Sequence, residues 1–231
     1  METGRPIEFQ RFELPNGEKS LNVSLFIQAV ADGGLPRRAR RRELIIGAHM
    51  DSAPDSPGAN DNASGVAVLL ELARAFASER LPIDLRLIFF GGEETIQKGQ
   101  IHHHFGSRSY AKALTGASIE CILGMISIDM AGFGSGLQVH SPGICAESLC
   151  DALIEEGAKL GINIQRLQRP AASDHESFED VGIASSWIGF HPDPENHTKM
   201  DTADRISPNN LGAVAKVLRS FAMTASNYLP D

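Results

Sequence analysis

The stretch that decides the fold is "ELIIGAHMDSAPDSPGANDNASGVAVLLELARAFASERLPIDLRLIFFGGEE", residues 43–94. It opens and closes with apolar runs of strand length, "ELIIGAH" (43–49) and "IDLRLIFFG" (83–91). Between them, "GVAVLLELARAFA" (65–77) repeats apolar residues at the i, i+3, i+4 and i+7 spacing of a one-faced helix. The stretch therefore predicts a strand, a helix and a second strand in succession.

The same alternation continues on both sides of this stretch. Three more apolar runs have strand length: "NVSLFIQAV" (22–30), "CILGMISID" (121–129) and "IASSWIGF" (183–190). Two more segments have a helical pattern: "ESLCDALIEEGAKLG" (147–161) and "NNLGAVAKVLRSFAMTASNYL" (209–229). Strands that alternate with helices favour a mostly parallel sheet covered on both faces. We therefore predict one domain over residues 1–231, a three-layer α/β sandwich with helices on both sides of a central sheet.

Charge and hydropathy exclude two kinds of partner. The net charge is −8 and the pI is near 5.5, whereas nucleic acids and anionic membranes require clustered positive charge. The one basic run, "RRARRR" (37–42), lies just before a predicted strand and is interpreted as a solvated loop. The longest apolar helix pattern is interrupted by Glu71 and Arg74, so it does not predict a membrane-spanning helix.

The compartment is predicted from targeting signals and cysteines. No N-terminal segment has the charged, apolar and small-residue order of a signal peptide. Cys121, Cys145 and Cys150 do not form the pattern of a disulfide framework. We therefore expect a cytoplasmic protein, although a secreted or periplasmic mature domain without its leader would have the same sequence. The oligomeric state is left open.

Ionisable side chains collect where the predicted strands end. In open α/β sheets, ligands bind beyond the carboxyl ends of the strands. Imidazole and carboxylate groups suit zinc, and a bridging carboxylate is needed to hold two ions close together. Taken singly, such a residue is more often a cap or a hydrogen-bonded structural group, but the joint pattern predicts a two-metal hydrolytic site. Its candidate residues are His49, Asp51, Asp61, Glu93, Glu94, Asp129 and His197.

At this point the sequence resembles a known family, the co-catalytic di-zinc aminopeptidases, which include the bacterial leucyl and broad-specificity aminopeptidases. The matching blocks run from about residue 44 to the end of the chain: "IIGAHMDS", "SPGANDNASGVAVLLELARAF", "LRLIFFGGEE", "GSRSY", "SIDMAG", "SDHESF" and "NHTKMDTADRI". The resemblance implies a zinc-exopeptidase-like fold and a metallo-aminopeptidase. Its substrates would be peptides with a free N-terminus.

The resemblance also implies a role for each candidate residue. Two zinc ions per chain would be held, one by His49 and Asp129, the other by Glu94 and His197, with Asp61 bridging them. Glu93 would be the catalytic general base, acting on the water shared by the two ions. Asp51, the second predicted catalytic residue, would hydrogen-bond the imidazole of His49 and orient it. Adjacent glutamates can serve two targets because successive side chains leave an extended segment in opposite directions.

Two further features follow from the resemblance. The peptide bond between Asp61 and Asn62 would be cis, which is rare without proline. Asp174 and His175, in "SDHESF", would line the substrate side of the site.

The chain departs from the family in three places. Family members usually carry a helical segment before the first strand, whereas here little precedes it. An insertion, "TIQKGQIHHHF" (95–105), follows Glu94. We interpret its histidines, His102, His103 and His104, as part of a solvated loop, with a third metal site as the alternative. Some members use a tyrosine to stabilise the oxyanion, but neither Tyr110 nor Tyr228 matches that position.

Other functions are compatible with parts of this pattern. A related carboxypeptidase would share the metal site, and only the closeness of the motif match favours the aminopeptidase. A single-zinc glutaminyl cyclase needs neither a bridging carboxylate nor a second histidine, so His49 and Asp61 argue against it. A non-catalytic binding domain would be expected to have lost the base, whereas Glu93 is present.

Overall fold

The computed structural model describes residues 7–30, 42–94, 103–167 and 172–225. Within these ranges, one mixed sheet has the strand order β1-β2-β4-β3-β5-β8-β6-β7. The strands are β1 (Ile7–Glu13), β2 (Lys19–Ile27), β3 (Glu43–His49), β4 (Asp84–Phe90), β5 (Ile122–Ile128), β6 (Gly136–His140), β7 (Ile164–Arg166) and β8 (Ser185–His191). The central strands β4, β3, β5 and β8 are parallel, and antiparallel pairings occur towards the two edges. The predicted mostly parallel sheet is confirmed.

Helices cover both faces of this sheet. They are α1 (Gly65–Ala75), α2 (Phe105–Ala113), α3 (Gly116–Ile119), α4 (Ser148–Lys159), α5 (Glu176–Glu179) and α6 (Pro208–Thr224). The side chains of α1, α4 and α6 build the larger apolar core on one face. Those of α2, α3 and α5 contribute to a smaller core on the other face. The three-layer arrangement is confirmed.

The apolar runs in the sequence arise because the central strands are buried on both faces. In β3, Leu44 and Ile46 point into the larger core, while Ile45 points into the smaller one. The same alternation occurs in β5, where Ile126 and Met125 lie on opposite faces. A strand covered on both sides has no polar face, so its sequence is continuously apolar.

The predicted strands and helices agree with the structure near the centre of the sheet and less well at its edges. The run at 43–49 coincides with β3, but β1, β6 and β7 were not predicted. β1 is an edge strand whose Ile7 and Phe9 are 58% and 61% exposed, so it lacks the burial pattern that identifies a strand. The basic residues 37–41 and the end of the last predicted helix, 226–229, lie outside the described residues.

Two other predictions concern cysteines and membranes. Cys121, Cys145 and Cys150 are free cysteines in the structure. Among the helices of the described part of the chain, none combines the length and the apolar character needed to cross a bilayer.

Candidate metal centre and active site

Four parallel strands bring the candidate residues to one edge of the sheet. His49 is the last residue of β3, and Asp129 directly follows β5. Glu93 and Glu94 come shortly after β4, and His197 comes after β8. Because the carboxyl ends of β3, β4, β5 and β8 all point the same way, these side chains meet at a single place.

The five predicted ligands form two groups that share Asp61. Nε2 of His49 lies 3.1 Å from Oδ1 of Asp61 and 3.5 Å from Oδ1 of Asp129. Nε2 of His197 lies 3.0 Å from Oδ2 of Asp61 and 3.4 Å from Oε2 of Glu94. Two ligand atoms on one tetrahedral zinc ion are about 3.4 Å apart, given metal–ligand bonds of about 2.0–2.2 Å. The separations are close to this value, and Asp61 offers one oxygen to each group.

Several side-chain atoms of these ligand groups have no aligned hydrogen-bond partner among the described residues. Nε2 of His49, Oε1 of Glu94 and Oδ1 of Asp129 are buried and make no aligned hydrogen bond within the described ranges. Buried polar atoms in folded proteins are almost always paired, because leaving one unpaired costs about 1–3 kcal/mol. The donor set and its unpaired atoms therefore fit divalent cations.

The charges of the cluster shift the pKa values of its members. Burial acts to lower the pKa of His49, but the negative charges of Glu93 and Asp129 outweigh it and raise that pKa well above its usual value. Contacts with Asp61 and Glu94 raise the pKa of His197 to about 10. Burial raises the pKa of Glu93 well above its usual value. The carboxylates thus attract positive charge strongly, and protons compete with metal ions for both histidines.

Asp51 lies at the site, but its contacts differ from the prediction. Nδ1 of His49 is 3.1 Å from the main-chain oxygen of Asp51 and 3.8 Å from its carboxylate. That carboxylate instead accepts hydrogen bonds from the backbone N–H groups of Glu93 (3.1 Å) and Glu94 (3.0 Å). The imidazole of His49 therefore contacts Asp51 through the main chain, and the predicted catalytic role of Asp51 stays a prediction. The side chain holds the backbone of the two glutamates, because their N–H groups turn towards it after β4.

The segment that carries Asp61 has an unusual backbone. It is a helical turn, Ala59–Ser64, that precedes α1, and Asp61 and Asn62 have non-helical dihedral angles within it. The peptide bond between them is cis, as the family resemblance predicted. The amide of Asn62 donates to the carbonyl of Ile128 at 2.8 Å, and its oxygen accepts from the N–H of Gly65 at 2.9 Å. The turn is thereby tied both to β5 and to α1.

Asp201 anchors this turn, and the sequence reasoning did not identify it. Its carboxylate is fully buried and accepts hydrogen bonds from the N–H groups of Asn60 (2.8 Å) and Asp61 (3.1 Å). Asn60 in turn accepts hydrogen bonds from the N–H groups of Gly132 (2.8 Å) and Phe133 (2.9 Å). The only sequence signal was the position of Asp201 inside the block "NHTKMDTADRI".

We expect Asp201→Ala to lower the zinc affinity of the centre by about 10–100-fold, the usual effect of removing a group that orients a metal ligand. The substitution leaves two buried N–H groups at Asn60 and Asp61 without their acceptor. Competition with a chromophoric chelator measures the affinity. Asp204→Ala, in the same segment but exposed, is the matched control. Equal affinities in the two variants would show that Asp201 does not position Asp61.

The two adjacent glutamates face different partners. Oε2 of Glu94 lies against His197, whereas Oε1 of Glu93 lies 2.7 Å from Nε2 of His104. Glu93 is buried, and the negative charge of Asp174 adds to the burial that raises its pKa. This arrangement agrees with the predicted division of roles, which stays a prediction.

The interpretation of the histidine run as a solvated loop is wrong for His104. Its side chain is 0% exposed, and burial lowers its pKa to about 2. The N–H groups of His104 and Phe105 donate to the carbonyls of Glu93 and Gly92, both at 2.8 Å, so the chain returns to the end of β4 after the insertion. That return places the side chain of His104 next to the carboxylate of Glu93. Residues 95–102, which include His102, lie outside the described residues.

Asp174 and His175 are both buried, but they have different surroundings. Burial raises the pKa of Asp174 to about 7, and its charge interacts with the site. Nε2 of His175 instead lies 3.3 Å from Nδ1 of His140, and burial lowers the pKa of His175 to about 3. Asp174 thus contributes to the raised pKa of Glu93, whereas His175 contacts His140. Tyr110 packs between Phe90 and Phe178 in the smaller core.

Comparisons with known proteins identify relatives of this chain. The family model of Peptidase family M28 matches residues 33–222. Aminopeptidase YwaD of Bacillus subtilis (strain 168) is 30% identical over 189 residues, which cover 76% of this chain and 40% of the relative. The structure of an aminopeptidase from Aneurinibacillus sp. strain AM-1 matches with a TM-score of 0.77 and 32% identity, over 90% of this chain and 48% of that one. The chain thus spans less than half the length of these two relatives.

A third comparison concerns the fold alone. A glutaminyl cyclase from Porphyromonas gingivalis is 23% identical, with a TM-score of 0.74 over 95% of this chain and 83% of its own. The architecture is therefore shared with proteins of more than one activity. The family match, by contrast, covers most of the sequence and includes every candidate ligand. The resemblance to zinc aminopeptidases is confirmed, and the chain belongs to peptidase family M28.

Proposed function

We propose that this chain is a metallo-aminopeptidase that hydrolyses N-terminal residues from peptides. The observation that carries the proposal is the pair of ligand groups sharing Asp61, with the buried carboxylate of Glu93 beside them. The relatives named aminopeptidases support the same activity. Glu93 and the bridging Asp61 are both present, which a non-catalytic relative would not need to keep.

We propose two zinc ions per chain, held by the residue pairs described above. His49 and Asp129 form one group with Asp61, and Glu94 and His197 form the other. Zinc at such positions supplies Lewis acidity and lowers the pKa of a bound water to about 7. Zinc-dependent peptidases are the family to which the chain belongs, which supports this choice of metal.

Glu93 does the proton transfer in this mechanism. Its carboxylate takes a proton from the attacking water as the new carbon–oxygen bond forms at the scissile carbonyl. It then delivers that proton to the leaving nitrogen as the carbon–nitrogen bond breaks. Burial raises the pKa of Glu93 above its usual value, which favours uptake of the proton that it later releases. The Asp51 carboxylate fixes the backbone from which Glu93 and Glu94 project.

A free α-amine on the substrate should be required. Glu93 and Asp129 are buried carboxylates of this site and are the candidates to hold a positively charged N-terminus. Acetylation removes that charge, so an N-acetylated aminoacyl substrate should be cleaved much more slowly than its free counterpart.

The test compares a panel of chromogenic aminoacyl substrates with their N-acetyl forms after zinc loading. A carboxypeptidase substrate with a free C-terminus and a blocked N-terminus serves as the control. Cleavage of that control, or equal rates on free and acetylated substrates, would contradict the aminopeptidase proposal.

A further inference from the structure

A second group of ligand-type atoms lies beside the candidate metal centre. It consists of Glu93, His103 and His104, whose ligand atoms all lie within 4.8 Å of one another. Only Glu93 belongs also to the proposed catalytic machinery, and none of the three is among the five predicted zinc ligands. Two imidazoles and one carboxylate form a ligand set used by zinc peptidases, which leaves a further coordination position for water.

His104 has the property that marks the ligands of the neighbouring centre. Its side chain is fully buried, yet neither ring nitrogen makes an aligned hydrogen bond to any described residue. Nε2 is 2.7 Å from Oε1 of Glu93, and Nδ1 is 3.7 Å from Oε2 of Glu176. His49, Glu94 and Asp129 show the same combination of burial and unpaired ligand atoms. An imidazole buried in this way points to a ligand.

The backbone fixes the position of this group. The N–H of His104 donates to the carbonyl of Glu93, so the two residues are joined by main chain as well as by side-chain contact. His104 has φ 62° and ψ 38°, in the left-handed region that few non-glycine residues occupy. The ring of the partly buried His103 lies across it, with centroids 3.7 Å apart and planes at 72°. Both imidazoles are therefore held next to the Glu93 carboxylate.

We propose that Glu93, His103 and His104 bind a third divalent cation, zinc by its ligand chemistry, and that this ion inhibits the enzyme. An ion shared by Nε2 of His104 and Oε1 of Glu93 requires these atoms to be about 3.4 Å apart, rather than 2.7 Å. A small rotation of the Glu93 carboxylate provides that separation. A carboxylate occupied by a cation cannot accept a proton from water, so the general base is blocked while the ion is bound.

The ion binding itself does not depend on the proposed function, whereas the inhibition rests on the proposed role of Glu93. The competing explanation is a direct contact between His104 and Glu93 with no ion. The 2.7 Å distance between Nε2 of His104 and Oε1 of Glu93 is compatible with a bound ion and with a direct contact. The number of ions bound at high zinc distinguishes these two explanations.

The experiment measures bound zinc by equilibrium dialysis and elemental analysis across a wide range of free zinc, without substrate. His103→Asn is the main variant, because His103 is only partly buried. His104→Asn is the second variant, with its fold checked by circular dichroism. His140→Asn is the matched control, since His140 also lies close to a second histidine but is outside this group. At saturation, the unmodified protein and the control should bind one ion per chain more than either variant.

Activity is then measured in the same zinc series, each protein relative to its own maximum. Excess zinc should inhibit the unmodified protein and the control by up to about 10²–10⁴-fold, the range expected for loss of a general base. The His103 variant should be inhibited less than about twofold. Equal numbers of bound ions in all four proteins would overturn the third site. One ion fewer in the variants with equal inhibition would keep the site but remove its inhibitory role.

Discussion

Glu93→Gln is expected to lower turnover by about 10²–10⁴-fold, while the number of ions bound at limiting zinc stays unchanged. Glutamine has nearly the same shape as glutamate but cannot accept the proton, so the variant loses the general base alone. Glu93 belongs to neither of the two ligand groups that share Asp61. Its Oε1 faces His104 instead. Steady-state kinetics on a free aminoacyl substrate gives turnover, and elemental analysis gives the metal content.

Glu94→Gln is the matched control, because it makes the same chemical change one residue further along. Oε2 of Glu94 lies 3.4 Å from Nε2 of His197, in the ligand group completed by Asp61. This variant should therefore lose affinity for one metal ion, and added zinc should restore part of its activity. If both variants lost metal to the same extent, the assigned roles of the two glutamates would be incorrect.

Removal of metal should have the largest effect of all. Dialysis against phenanthroline is expected to abolish hydrolysis, because the cations supply the Lewis acidity and the activated water that the side chains lack. Addition of zinc or cobalt should restore it. Reconstitution at limiting zinc, below the concentrations that fill the third site, should give two ions per chain at full activity. A fully active preparation with a single ion would contradict the shared-aspartate arrangement.

The sequence predicted the centre of the fold and most of the site for one physical reason. Strands buried on both faces are continuously apolar, so "ELIIGAH" identified β3 and also showed where it ends, at His49. Because neighbouring parallel strands end at the same edge of the sheet, the residues that follow these strands lie close together. Edge strands such as β1 follow no burial pattern of this kind, since their side chains remain in contact with solvent.

Contacts that depend on the path of the chain could not be predicted in this way. His104 was interpreted as part of a loop because a short histidine run is only a compositional signal. Its burial depends on backbone hydrogen bonds to Glu93, which a sequence does not display. Asp201 was missed for a similar reason, because its partners at Asn60 and Asp61 lie far away in the sequence. For Asp51 the location was predicted, but the atoms that it contacts were not.

The anchoring of the Asp61 turn by Asp201 has a consequence for biosynthesis. The two hydrogen bonds connect Asp201 with Asn60 and Asp61, which lie 141 and 140 positions earlier in the chain. The turn therefore cannot be held until the segment around Asp201 has been translated and has left the ribosome. His197 belongs to that same late segment. A nascent chain that already contains His49, Glu93 and Asp129 therefore still lacks both His197 and the anchor of the Asp61 turn. The Asp61 turn therefore takes up its position only after the segment that carries Asp201 has docked onto it.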